Sequence, residues 1–257
     1  MTVISRFFLV SLLFSWFLHG HAAAADTGGF VVFELFTSEG CSSCPPADAV
    51  LAKLGEDAQK YDQPVYCLSF HIDYWNKLGW KDPFADPAFT RRQLEYTKVF
   101  GLRDYYVPQM VVNGSEQFLG SSRTQAEKAL KQYLAVKALA TVKLKATAAK
   151  GSQEITVEYT LTGAPAGAQL CVVWVENEVF SGPDHGENRG KRLRHINVVR
   201  NFQTIELRSS LSGKLGLSRG EVKSGKIIAF VQIPQSGRIL GAASAEVTEP
   251  AAKSQRR

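Results

Sequence analysis

The chain has 257 residues, with 30 Lys and Arg against 24 Asp and Glu and a formal net charge of +6. Hydrophobic residues make up 45% and charged residues 21%, which allows a packed core and excludes a generally disordered chain. The basic excess is mild and forms no dense block with interleaved aromatics, so no nucleic-acid partner is expected.

At the N-terminus Arg6 precedes the apolar run FFLVSLLFSWFL at 7–18, and small residues follow at Ala23 and Ala25. The run is too short to span a bilayer comfortably. This order reads as a secretory signal peptide over 1–25, cut after Ala25, with Ala23 or Ala24 as alternative positions and a retained signal anchor as the competing reading. The mature chain is then expected in the periplasm or secreted, with no later membrane span, where disulfides form and persist.

Residues 30–36 (FVVFELF) are apolar, β-branched and aromatic, and read as a buried strand. A turn at 37–40 leads to Cys41-Ser42-Ser43-Cys44. Then Ala47, Val50, Leu51, Leu54 and Ala58 recur at helical spacing, with Pro45 and Pro46 suited to a first turn. Residues 64–70 (PVYCLSF) read as a second strand, giving a parallel βαβ unit. An irregular stretch from 71 turns helical over 89–99. A strand runs to Val112 past Pro108, Asn113-Gly114 signals a hairpin, and 116–119 returns. Residues 121–137 read as an amphipathic helix.

After Ala140 the texture changes. Residues 142–146, 154–161, 169–175, 202–207, 226–233 and 241–247 look like short strands between turn signals, which suggests an antiparallel β-sandwich. The expected organisation is an α/β domain over 26–139, a β-sandwich over 140–248 and a frayed tail over 249–257.

The cysteine pair sits where a strand ends and a helix begins. Helix N-terminal N–H groups and the macrodipole favour an anion there, so Cys41 is expected to be the nucleophile and Cys44 the resolving thiol. C-x-x-C also serves zinc, and an inert disulfide staple is a third possibility. His71 ends the second strand on the same sheet edge as Cys41. It is a candidate to stabilise a thiolate, or to join Cys41 and Cys44 on a soft metal such as copper. Tyr74, Trp75 and Trp80 follow, candidates to line a groove or to pack the insertion. Cys67 and Cys171 lie in apolar strands and read mainly as small buried residues. The cationic segment 186–200 carries Arg189, Lys191, Arg192, Arg194, His195 and Arg200; it could attract an acidic partner or raise the positive potential near the thiols, with a solvated face as the default expectation.

FELFTSEGCSSCPPAD followed by VPQMVVNG resembles the thioredoxin-like superfamily. That resemblance implies a cis Pro108 facing the cysteine pair, a Val107 backbone free to pair with a substrate peptide, and Glu34 as a buried acid that relays a proton to the second cysteine. More narrowly, these segments together with FHIDYWNKLGWKDPFADPAFTRRQLEY and ENRGKRLRHINVVR resemble the secreted family DUF1223. The fold implied is an α/β thioredoxin-like N-terminal domain plus a C-terminal antiparallel β-sandwich. The expected function is thiol–disulfide exchange outside the cytoplasm. It would need no cofactor. Its partners would be a protein or small-molecule thiol and a redox partner that resets the pair. Metal binding through Cys41, Cys44 and His71, and a non-catalytic binding module with a structural disulfide, are the alternatives.

Overall fold

The computed structural model describes residues 28–208, 210–222 and 224–249. The expected signal peptide lies outside them, as does all but the first residue of the expected tail. No helix among the described residues is long and apolar enough to cross a membrane.

Strand β1, Val31–Thr37, is buried along its whole length, including Glu34, as its mainly apolar composition requires of a strand covered on both faces. Helix α1, Pro45–Lys60, begins with Pro45 and Pro46, where a missing N–H costs nothing. It leads to β2, Val65–His71, parallel to β1 from Val31 opposite Val65 to Thr37 opposite His71. Helix α2, Pro87–Val99, is capped by the Asp86 carboxylate, which accepts from Ala88 N–H at 2.7 Å. Strands β3, Gln109–Val112, and β4, Glu116–Leu119, form the expected hairpin. Asn113 (φ 46°) and Gly114 (φ 58°) both take the left-handed conformation that a tight primed turn demands. Helix α3, Arg123–Leu134, follows.

Seven strands complete the chain: β5 (Thr141–Thr147), β6 (Glu154–Thr162), β7 (Gln169–Ser181), β8 (Leu193–Glu206), β9 (Ser212–Ser218), β10 (Gly225–Gln232) and β11 (Ile239–Thr248). They do not form a separate sandwich. All eleven strands make one mixed sheet in the order β4-β3-β1-β2-β8-β7-β10-β11-β5-β6-β9. This overturns the expected α/β thioredoxin-like domain followed by an antiparallel β-sandwich: the protein is mostly β, with three α-helices among the described residues. The decisive junction is β2 against β8, parallel, with Ser69 opposite Val198. A second parallel junction joins β11 to β5. The outer edge of β2, with its unpaired N–H and C=O groups, is thereby covered.

Side-chain alternation divides β7 between two cores. Cys171, Val173 and Val175 pack with Phe36, Phe70, Phe89 and Tyr96 from the first half of the chain. Leu170, Val172 and Trp174 face the other way, into a cluster with Ile155, Val157, Leu161 and Ile227. A third cluster holds α1 and α3 on the sheet through Phe33, Leu35, Leu51, Leu54, Met110 and Ala126. The middle cluster therefore contains residues from both halves. Its large side chains, each worth roughly 1.5–3 kcal/mol when fully buried, bind those halves together.

Candidate functional site

The cysteine pair lies in the link from β1 to α1. Cys41 N–H donates to Ser38 C=O and Cys44 N–H to Cys41 C=O, so the two cysteines bracket a tight turn. Cys44 is the N-cap of α1, with helical dihedrals, and its carbonyl accepts from Ala47 and Asp48 N–H. Both thiols are free. Cys41 Sγ lies 3.2 Å from Ser43 Oγ.

The two thiols are displaced in opposite directions. A hydrogen bond from Cys44 lowers Cys41, burial opposes this, and the Ser43 hydroxyl and backbone N–H groups add to the lowering; the result is about 7. Burial raises Cys44 strongly, and the negative charges of Cys41 and Asp48 push the same way. One thiol is poised as thiolate near neutral pH and the other holds its proton.

Neither cysteine has exposed surface. The turn between β7 and β8 lies against the motif. Buried Asn188 donates its side-chain amide to the carbonyls of Glu39 and Cys41, each at 2.8 Å. Glu187 accepts from Ser42 N–H at 2.8 Å, and the Ser42 hydroxyl and N–H lower its pKa. Gly186, at φ 75°, closes on Trp80: a methyl group placed there would meet Trp80 Cβ at 3.0 Å. Part of the expected solvated cationic segment is thus cover for the cysteines. Its charges are spent locally, Lys191 on Asn188 Oδ1, Arg192 over the Phe180 ring, and Arg194 on Glu56 and Glu178.

Behind the motif is a buried cluster of acids and histidines. His71 Nδ1 is 2.7 Å from Asp82 Oδ2, which also accepts from Glu39 N–H at 2.8 Å. Burial works to raise Asp82, but His71 and the N–H groups of Glu39 and Phe84 outweigh it and lower its pKa. The rings of His71 and His195 meet edge to face at 4.7 Å. His195 Nε2 lies 3.4 Å from Glu39 Oε1 and its Nδ1 lies 3.7 Å from Asp48 Oδ2. The other Glu39 oxygen accepts from Trp80 Nε1 at 2.8 Å. Burial pulls His195 down, yet the carboxylates of Asp48 and Glu39 more than reverse this and raise it to about 9. His195 is therefore an imidazolium between two carboxylates at neutral pH.

Glu34, the expected proton relay, is engaged elsewhere. Its carboxylate takes two hydrogen bonds from Arg92 Nε and Nη2, at 2.5 and 3.0 Å, and one from Tyr96. Gln232 of β10 bonds both Arg92 and Tyr96. The Arg92 guanidinium lies 4.7 to 5.7 Å from the ring centres of Phe202, Tyr96, Phe230 and Phe70. This is a buried ion pair that ties α2 to β1 and to β10.

Val107–Pro108 is cis, as expected, and β3 begins at Gln109. Pro108 and Ala47, in the first turn of α1, both flank Gly120: a methyl group there would lie 3.2 Å from Pro108 Cβ and 3.0 Å from Ala47 Cβ. Val107 is half-buried against the middle cluster. Tyr74 donates to Gln93 at 3.2 Å and meets Tyr105 edge to face; burial raises its pKa, and the charges of Cys44 and Cys41 add to this. Trp75 is half-buried and packs on the middle cluster. Cys67 and Cys171 are unpaired, sit in different clusters, and are each pushed up to about 12, chiefly by burial. Among the described residues no three His, Cys, Asp or Glu side chains converge to hold a metal, so Cys41, Cys44 and His71 do not form the ligand set considered from the sequence.

The family described as "protein of unknown function (DUF1223)" matches residues 32–232. The chain belongs to that family. The matched span of this DUF1223 chain holds both cysteines of the motif, the acid–histidine cluster and the covering turn. Protein AGR_C_4864 from Agrobacterium tumefaciens has a similar solved structure, at 28% identity, TM-score 0.61, over 88% of this chain and 97% of that one. The CARDB domain of a Pyrococcus furiosus protein aligns at 11% identity and TM-score 0.23, over 43% of this chain and 94% of that one. A Bifidobacterium adolescentis GH3 beta-glucosidase aligns at 15% and 0.22, over 46% of this chain and 19% of that one. Scores so low carry nothing further. No curated protein matches the chain.

Glu39, Asp48, Asp82, Asn188 and His195 were not picked out from the sequence as site residues. Asp48 carried a usable signal, four residues after Cys44 and hence one helical turn away. Within Leu193–Val199, His195 alternates with residues that are also buried, a strand period its basic neighbours obscure.

Proposed function

We propose that the protein is a thiol–disulfide oxidoreductase acting outside the cytoplasm on a protein or small-molecule thiol. Cys41 is the attacking thiolate, Cys44 resolves, and a redox partner resets the pair. The observation that carries this reading is the pair of adjacent free thiols with opposite displacements, Cys41 lowered to about 7 and Cys44 raised. A catalytic pair needs that division: a nucleophile charged at working pH and a second thiol that keeps its proton until a mixed disulfide forms. The extracytoplasmic setting rests on the signal-peptide pattern at 1–25. Since neither thiol is exposed, exchange requires a movement that uncovers the pair, and the Asn188 turn hydrogen-bonded to the motif is the element proposed to move.

The same burial favours a second reading, a binding module whose cysteines form a permanent staple. A redox titration of residues 26–257 across glutathione and dithiothreitol buffers, with thiols trapped and located by mass spectrometry, separates the two. A Cys41–Cys44 couple between roughly −120 and −270 mV supports exchange, and one still oxidised below about −300 mV supports the staple. In turnover, Cys41→Ser abolishes activity and Cys44→Ser accumulates mixed disulfides. Undiminished turnover in Cys41→Ser ends the proposal.

A further inference from the structure

We propose that Asp48, His195 and Glu39 form a buried proton-transfer centre for Cys44, in which a strand from the second half of the chain completes the thiol site. The inference rests on the exchange reading above. Three observations carry it.

First, Glu34 is unavailable, because its carboxylate is held by Arg92 and Tyr96. Second, Asp48 sits one helical turn after Cys44 and donates its N–H to the Cys44 carbonyl at 3.0 Å, on the same side of α1. Third, both ring nitrogens of His195 are buried without a hydrogen-bond partner, Nε2 facing the equally unpartnered Glu39 Oε1 and Nδ1 facing Asp48 Oδ2, while Asp48 Oδ1 is also buried and unpartnered. Buried polar atoms are almost always hydrogen-bonded, and an unpartnered group calls for an explanation, a catalytic role among them. The 3.4 and 3.7 Å gaps around His195 close with a small side-chain shift. The groups facing His195 are Glu39 before α1, Asp48 on α1, and His71 on β2 backed by Asp82. Arg200 lies beyond, over the Phe84 ring that also meets His195.

The step runs as follows. Cys41 thiolate attacks a substrate disulfide, forming one S–S bond and releasing one substrate thiolate, which takes a proton from water. Cys44–SH then gives its proton to the Asp48 carboxylate, and the His195 imidazolium offsets the negative charge appearing on Cys44. The new thiolate attacks Cys41 Sγ and forms the intramolecular disulfide. The second substrate thiolate leaves and takes up the proton. The substrate disulfide gains two electrons and the cysteine pair loses two.

The test uses the reduced protein and 5,5′-dithiobis(2-nitrobenzoate), following release of the coloured thiolate over a range of pH. The first equivalent reports attack by Cys41 and the second reports resolution by Cys44. Asp48→Asn should slow the second release roughly 100-fold near neutral pH. What rate remains should rise in proportion to hydroxide, while the first release persists. His195→Gln, which removes the positive charge facing Asp48 and Glu39, should slow the same phase and shift its pH profile. Thermal melts identify any variant that fails to fold, and the two substitutions stand on different elements. A wild-type protein that releases only one equivalent would overturn the exchange reading and this inference with it. Two equivalents in the wild type, with both variants keeping its rate and pH profile, would overturn the proton-transfer centre alone.

Discussion

Substituting Glu34 by Gln separates a structural acid from a catalytic one. Glu34 has no exposed surface, and its partner Arg92 is 5% exposed. The substitution removes the negative charge but leaves the guanidinium buried among Phe70, Phe202 and Phe230. Breaking a buried pair from one side costs about 3–5 kcal/mol, because the remaining charge is uncompensated. For a chain of this length that lowers the melting temperature by about 10 °C. The double variant Glu34→Leu/Arg92→Met should recover most of the loss, since an apolar replacement of both partners avoids the buried charge. Urea unfolding of wild type, both single variants and the double variant gives the coupling directly. In the folded Glu34→Gln protein, the pH dependence of Cys44 resolution should match the wild type. A Glu34→Gln protein with wild-type stability and an altered thiol pH profile would refute the placement of Glu34 in a structural pair, and with it the argument that Cys44 needs another acid.

The His195 imidazolium gives a pH signature of its own. Its pKa is raised from 6.5 to about 9 on folding. It therefore contributes stability that is full below the unfolded value and is lost as pH rises through the folded one; the shift is worth about 3 kcal/mol. The stability gap between wild type and His195→Gln in urea should narrow by that amount between pH 6.5 and pH 9, and a constant gap would contradict the charged assignment. Gly120→Ala places a methyl group 2.7 Å from Leu35 Cδ1 and 3.0 Å from Ala47 Cβ. Overpacking of this kind should cost about 1–3 kcal/mol in thermal or urea unfolding, and an unchanged midpoint would show that the contact relaxes freely. Asn188→Ala removes two buried hydrogen bonds from the cover over the cysteines. At about 1 kcal/mol each, alkylation of Cys41 by iodoacetamide should accelerate roughly 30-fold; a wild-type rate would mean that the Asn188 turn does not gate access.

Local pattern carried the first half of the chain well. β1, α1, β2, the Asn113-Gly114 hairpin and α3 all lie close to where apolar spacing and turn residues place them. Their partners are near in sequence, so the signals are local. The second half shows where that logic stops. β8 runs from Leu193 to Glu206, but only its end from Phe202 looked like a strand. Arg194, Arg200 and Asn201 break up the apolar pattern of β8; Arg194 pairs with Glu56 and Glu178, Arg200 with Glu176, and Asn201 donates to the Ser218 carbonyl. β9 is mostly exposed and glycine-containing, with too few inward residues to announce a strand. The continuous sheet depends on the junction of Ser69 with Val198. A contact across 129 residues leaves no periodic trace, which is why two domains were expected and one sheet is found.

The site divides along the same line. Cys41 and Cys44 were legible because nucleophile and resolving thiol must be close in sequence at a strand–helix boundary. Glu34 looked right because a lone acid in an apolar strand must find a buried partner; Arg92 on α2 supplies it, a pairing that strand pattern cannot reveal. His195 was illegible because its meaning depends on Glu39 and Asp48, and the fold brings them together only by laying β8 beside β2. Three charged groups in so dry a place are an expense the fold need not carry. Well-packed apolar residues of similar size commonly match or exceed the stability of a buried charge cluster. Here the groups also remain short of full hydrogen bonding, so the network does not repay its desolvation as a rigid structural element would. Asp48 stands one helical turn from Cys44, and its charge adds to the burial that raises that thiol. A cluster that costs stability and sits beside the one group that must lose a proton for resolution is more economically explained by chemistry at Cys44 than by the fold.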